Sequence, residues 1–244
     1  MKAPLLSYFG QPKIAAKLQS CIADENSKIW IKGLIGSSFA LASSATIKES
    51  KSPHLFIFTD KEEAQYFVNE VEALLNNEVF FYPASYRRAY QFEQTDNANI
   101  LLRAEVLNKL NNKRNPIIIT YSEALSEKVV SRRDLKRQTI TIKIRDLHEI
   151  EELEKQLLSH HFEKVDFVIE PGQFSIRGGI VDVFSYADEH PYRIEFFDIQ
   201  VENIRSFDIN TQLSIDTKNK IDIVPNTEAK KTDSKHVSFL NYLP

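Results

Sequence analysis

Three groups of side chains in this sequence have types and spacings suited to chemistry. The first is Gly33-Leu34-Ile35-Gly36-Ser37-Ser38, which follows the apolar run Ile29-Trp30-Ile31 and precedes a small-residue segment through Ala45. A nucleotide-binding phosphate loop occupies such a place, between a strand and a helix, and needs a lysine for the terminal phosphates and a Ser or Thr hydroxyl for magnesium. Counted in register from Gly33, the lysine position holds Phe39 and the hydroxyl position Ala40. Gly33, Gly36, Ser37 and Ser38 therefore read as a degenerate phosphate loop, whose amides cradle an anion weakly at best, or as a plain strand-to-helix turn. Asp60, after the next apolar run, has the type of a magnesium ligand, but Glu63 three residues on makes it a helix cap. The second group is basic: Arg132-Arg133 with Lys136 and Arg137 has the charge to touch phosphate, and a charged interdomain linker is the simpler reading. His160-His161 does not make a metal site, because adjacent helical side chains diverge by about 100°.

The third group emerges when strand periodicity sorts side chains onto two faces. In Tyr192-Arg193-Ile194-Glu195-Phe196-Phe197, Tyr192, Ile194 and Phe196 form the core face and Arg193, Glu195 and Phe197 the other. In Phe174-Ser175-Ile176-Arg177, Phe174 and Ile176 point inward and Ser175 and Arg177 outward. A large aromatic beside arginines on a polar face has the makeup of an interface hot spot; the alternative is that Phe197 merely ends its strand under a loop. Substitutions of the outward residues are expected to weaken binding and leave stability nearly unchanged.

The elements that must position these residues follow from the apolar pattern. A helix is predicted over Gln11 to Asn26 and a buried strand at Ile29 to Ile31, with further strands at Leu55 to Phe58, Val79 to Tyr82 and Pro116 to Thr120. Helices after Asp60 and over Ile100 to Leu110 separate them, and residues 83–97 are loop-like. Alternating strands and helices predict a parallel sheet in an α/β domain. From Thr139 the period changes: a strand to Ile144, a helix over Asp146 to His161, then strands to Asp208 broken by Glu170-Pro171-Gly172 and Gly178-Gly179, which predict a smaller α+β domain with an antiparallel sheet. Ile221 to Val224 is one more strand, and Ala229 to Lys235 is linker-like. The 244 residues exceed the usual single core. The chain divides into residues 1–129, the first part of the α/β domain; 130–211, the α+β domain; and 212–244, a return segment to the first.

A formal charge of −3 excludes a dedicated nucleic-acid binder, leaving weak, salt-sensitive and sequence-independent DNA contact through Arg87, Arg88 and Arg132-Arg133. One cysteine, Cys21, excludes an intrachain disulfide and multi-thiolate zinc sites, and fits a reducing cytoplasm. No apolar run reaches the roughly 18 residues of a membrane span.

Taken together, HFEKVDFVIEPG, GQFSIRGGIVDVF and PYRIEFFDIQVENIRSFD resemble the UvrB-homology module of the bacterial transcription-repair coupling factors. The FYPAS stretch and the PIIIT strand also fit that resemblance. UvrB has the same layout but keeps an intact phosphate loop and a long DNA-clamping hairpin, whose place residues 83–97 take here. The resemblance implies an α/β domain interrupted by an α+β domain that recruits UvrA, the damage-recognition subunit of nucleotide excision repair. It carries over Arg177 from the F-S-I-R-G-G segment and Arg193, Glu195 and Phe197 from R-x-E-F-F as UvrA-binding residues. Lys164 stands at an earlier basic position of the family, where a lysine lacks the arginine's planar fork. The implied function is non-catalytic recruitment that brings repair to stalled RNA polymerase. The family's ATP- and magnesium-dependent translocase motor and its polymerase-binding domain are expected elsewhere in a longer chain, of which this is the N-terminal part, so no cofactor is expected here. The remaining partner expected is the rest of its own chain, around a monomer. The alternatives are a UvrB-like nucleotide-dependent DNA-processing protein and a purely structural brace for the motor.

Overall fold

A computed structural model describes residues 18, 20–21, 27–50, 52–75, 78–85, 97–112, 116–227 and 236–243. The chain forms two compact units, residues 1–83 with 113–124 and residues 84–112 with 125–244.

In the first unit, helix α1 (Ser38–Glu49) precedes strand β1 (His54–Phe58), helix α2 (Lys61–Leu75), strand β2 (Phe80–Tyr82) and strand β3 (Ile117–Tyr121). The strands form a parallel sheet in the order β1, β3, β2, as alternating strands and helices require. The central strand is buried at every position because neighbours flank it on both sides. Asp60 caps α2, its carboxylate accepting the Glu63 amide hydrogen bond at 2.9 Å.

The predicted strand at Ile29 to Ile31 is not formed. Residues 27–35 have no regular structure, and Trp30 and Ile35 are more than four-fifths exposed, because none of the described strands pairs with them. The helix predicted over Gln11 to Asn26 lies mostly outside the described residues, of which Leu18, Ser20 and Cys21 are helical. Residues 86–96, within the segment taken as the hairpin's counterpart, and residues 228–235 also lie outside them.

The second unit opens with helix α3 (Asn97–Asn112). After helix α4 (Ser122–Ser126) come strand β4 (Lys128–Val130), helix α5 (Arg132–Gln138), strand β5 (Ile140–Lys143) and helix α6 (Ile150–Ser159). Residues 132–138, read as a linker, are helical because Ser131 supplies an N-cap whose hydroxyl accepts from the Asp134 amide, and Leu135 packs inward at 1 % exposure. Six strands follow: β6 (Glu163–Lys164), β7 (Gln173–Arg177), β8 (Ile180–Val183), β9 (Tyr192–Phe197), β10 (Gln200–Phe207) and β11 (Ser214–Thr217). They form one sheet in reverse sequence order, antiparallel apart from the parallel β6 and β7 pair. Strand β12 (Lys220–Ile223) pairs with β5, and β13 (His236–Ser238), followed by a 3₁₀ turn at Phe239–Tyr242, pairs with β4.

One face of the six-stranded sheet packs on α6. Leu153 and Leu157 meet Phe174, Val181, Ile194, Phe196 and Ile204 in a core that Ile142, Ile221 and Ile223 extend. The inward sets chosen by alternation, Tyr192, Ile194 and Phe196 with Phe174 and Ile176, all pack in or against this core. The Gly178-Gly179 turn fixes the register of β7 on β8. Gly178 has φ +60°, and a Cβ on Gly179 would stand 2.8 Å from the Phe196 carbonyl oxygen, so backbone strain at one position and close approach at the other favour glycine.

Candidate functional site

The other face of the six-stranded sheet carries the residues that the sequence sorted outward. Two-residue loops at Gly178-Gly179 and Asp198-Ile199 set the register, and cross-strand partners then share a face. Three rows result. Ser175, Asp182, Arg193, Arg205 and Thr217 stand side by side from β7 to β11. Beside them run Arg177, Ile180, Glu195 and Asn203. At the end of β9, Phe197 faces Gln200, which bridges in turn to Leu147 on the segment before α6.

The centre of the first row is a carboxylate clamp. Asp182 is 2 % exposed, and Arg193 grips it with two hydrogen bonds, Nε to Oδ1 at 2.8 Å and Nη2 to Oδ2 at 2.9 Å. Arg177 donates from Nη2 to the same Oδ2 and from Nη1 to the Asp166 carbonyl. Arg193 also reaches Gln212 and lies over the Phe207 ring, 4.5 Å from its centroid. Hydrogen bonding to Asp182 holds the Arg193 guanidinium above its ordinary pKa, against the opposing effect of burial. A planar fork meeting a carboxylate in two places is the strong form of an ion pair, and it fixes the guanidinium plane as well as its charge.

Glu195 organises the second row, accepting from Arg205 Nη2 and from Asn203 Nδ2. Its guanidinium partner is thus on β10. The third row sets two exposed apolar side chains on either side of Gln200: Phe197 is 74 % exposed and Leu147 65 %, and Ile199 at the hairpin tip is also exposed. Phe167 and Ile169, exposed on the loop between β6 and β7, provide apolar surface at the opposite side, with Arg177 over the Phe167 ring.

The face thus brings together Arg177, Arg193, Glu195 and Phe197. Lys164 does not join them. Its register partner is inward Phe174, which places it on the helix-covered face, and its ammonium pairs with Glu154 of α6 at 2.7 Å. Sequence reasoning missed Asp182, Arg205 and Leu147. The signal for Asp182 was present: a two-residue loop at Gly178-Gly179 puts Asp182 opposite outward Ser175, so a lone carboxylate in Ile180-Val181-Asp182-Val183 had to share the arginines' face. A register shift between Val201 and Asn203 complicates counting along β10 to Arg205, and Leu147 lies in a segment predicted as helix.

The glycine loop of the first unit has a different character. Gly33 and Gly36 have positive φ, and Ser37 precedes the first residue of α1. Phe39, in the lysine's register position, stacks on Phe67 at 5.0 Å and meets Phe56 and Phe58 edge-on. The Ser37 hydroxyl donates to the Glu70 carboxylate.

Residues 140–228, which contain the whole six-stranded sheet, match the family described as the UvrB interaction domain. The chain is 31 % identical over 199 residues, 81 % of its length, to the transcription-repair-coupling factor of Bacillus subtilis, and 26 % identical over 82 % of its length to that of Haemophilus influenzae. The chain belongs with the UvrB-homology modules of transcription-repair coupling factors. This module spans 17 % of the length of those two relatives. It is also 24 % identical over 82 % of its length to the UvrABC system protein B of Chlorobium phaeobacteroides, of which it covers 31 %. Among the described residues of the module no helix is long and apolar enough to cross a membrane.

Proposed function

We propose that the module is a non-catalytic docking unit that binds UvrA through the outer face of its six-stranded sheet and so links nucleotide excision repair to stalled RNA polymerase. The observation that carries this reading is the exposed Phe197 and Leu147 row beside an ordered arginine and carboxylate array, within the segment that matches the UvrB interaction domain. Large apolar side chains exposed together on an otherwise well-buried domain cost solubility and are kept where a partner covers them. Arginines already aligned by Asp182 lose little freedom on binding, and a partner carboxylate finds donors in place. Arg177, Arg193, Glu195 and Phe197 make the contact in this reading, with Lys164 left to brace α6.

Titrating UvrA into the module should give saturable binding, and absence of binding at about 50 μM UvrA would overturn the reading.

In this reading the glycine loop holds no nucleotide. Its lysine position is taken by a side chain packed among aromatics, and Glu70 bonded to Ser37 places negative charge where a phosphate would approach. Magnesium-dependent ATP turnover should be absent from the purified module. Turnover that disappears on replacing Ser37 by Ala would refute this.

A further inference from the structure

The basic group for which the sequence predicts a linker with weak DNA contact lines a cavity in the second unit. Arg132, Arg133 and Lys136 of α5 stand on one side, Lys220 and Asp222 of β12 on another, and the volume between them is about 500 Å³. Asn108 and Asn111 of α3, with Thr139 and Thr141, complete the wall. In a chain of net charge −3, four cations against one carboxylate around a single cavity is a strong local excess. That carboxylate is already engaged: Asp222 pairs with Lys220 at 3.1 Å and accepts from the Thr141 hydroxyl at 2.6 Å.

The two halves of the basic set have different jobs. Arg132 is structural, donating to the Tyr242 carbonyl at 2.6 Å and to the Leu110 carbonyl at 3.3 Å, which ties α5 to the 3₁₀ turn and to α3. Arg133 and Lys136 are exposed and make no ion pair or hydrogen bond among the described residues, whereas Arg137 on the same helix is paired with Asp134. The wall thus offers two uncommitted cations beside the side-chain amide of Asn111, whereas the Thr139 and Thr141 hydroxyls already donate to the Leu135 carbonyl and to Asp222. Cations and amide N–H groups are donors that proteins place on phosphate oxygens.

From this cavity we infer a binding site for the phosphodiester backbone of nucleic acid, with Arg133 and Lys136 as its phosphate ligands. A cavity of about 500 Å³ is far larger than a single inorganic phosphate fills. A backbone offers several phosphates at once and releases counterions as each is neutralised. The contact made by Arg133 and Lys136 is independent of sequence, since phosphate oxygens carry no base identity. The site is remote in sequence from Phe197 and does not rest on the UvrA reading.

The test is fluorescence-anisotropy titration of the module against a labelled 20-base-pair duplex between 50 and 200 mM salt. It compares the parent, the Arg133→Gln/Lys136→Gln variant and a control, Lys128→Gln/Lys155→Gln, that loses the same charge outside the cavity. Removing two phosphate ligands should lower the slope of log K against log salt by about 1.8, which cancels roughly tenfold of the affinity change across that range. The control should retain the parent's slope. Because Arg133 and Lys136 make no ion pair or hydrogen bond among the described residues, the melting temperature of the cavity variant should agree with the parent's. Equal slopes for parent and cavity variant, or an equal drop in the control, would overturn the site. So would absence of DNA binding at 50 mM salt, or displacement of DNA by an acidic peptide of matched charge with the cavity variant unaffected.

Discussion

Asp182→Ala should lower the melting temperature by about 10 °C and weaken UvrA binding about thirtyfold in the protein that remains folded. Asp182 is 2 % exposed and accepts from two guanidiniums, one of which, Arg193, is itself only 19 % exposed. Removing one partner of a buried ion pair leaves the other uncompensated at a cost of about 3 to 5 kcal/mol. Both arginines retain some access to water, so the lower end applies, and about 3 kcal/mol corresponds to roughly 10 °C in a domain of this size. The binding loss has a separate origin. Without the carboxylate, Arg177 and Arg193 regain side-chain freedom that docking must remove again, about 1 kcal/mol for each, or about thirtyfold together. Asp182→Asn keeps an acceptor for one arginine and should fall between the parent and the alanine variant in both measurements. Thermal melts and titrations run well below the variant's own transition separate the two effects. Unchanged affinity in the folded Asp182→Ala variant would show that the arginines need no carboxylate to hold them for the partner.

This residue also marks where sequence reading stopped. The inward face of β9 was legible because Tyr192, Ile194 and Phe196 alternate with polar neighbours over a full strand, and burial against α6 follows that alternation. Alternation says which side a residue faces and not which residue stands beside it. That second fact is a matter of register, and here two-residue loops and the shift between Val201 and Asn203 set it. The arginines therefore looked free in sequence and are committed to Asp182 and Glu195 in the structure. The error at Ile29 to Ile31 is of another kind. Apolar, β-branched and aromatic content gives a segment strand propensity, but a strand exists only where a neighbour supplies hydrogen bonds, and none of the described strands does so. Similarly, four basic residues among seven suggested a solvated linker, while one apolar residue, Leu135, and one capping hydroxyl, Ser131, were enough for a short helix.

Phe197→Ala should reduce UvrA affinity about thirtyfold, on the order of 2 kcal/mol, without a measurable change in melting temperature. The ring is 74 % exposed, so truncation removes almost nothing from the core, and the loss is confined to area that a partner covers. Leu147→Ala, in the same cross-strand row, should behave alike with a smaller effect, because the side chain removed is smaller and nonaromatic. Arg193→Ala behaves differently from the sequence expectation of little change in stability. It takes the two-point grip from a buried carboxylate, leaving Asp182 with Arg177 alone, so melting temperature and affinity should fall together. Ile194→Ala supplies the contrast. It empties a fully buried position, costs about 3 kcal/mol of stability, and should leave the affinity of the folded fraction intact. The four variants therefore separate surface from scaffold: Phe197 and Leu147 change affinity alone, Ile194 stability alone, and Arg193 both. If Phe197→Ala and Leu147→Ala are folded and bind UvrA as the parent does, these two side chains are not covered by UvrA and the docking surface lies on another face.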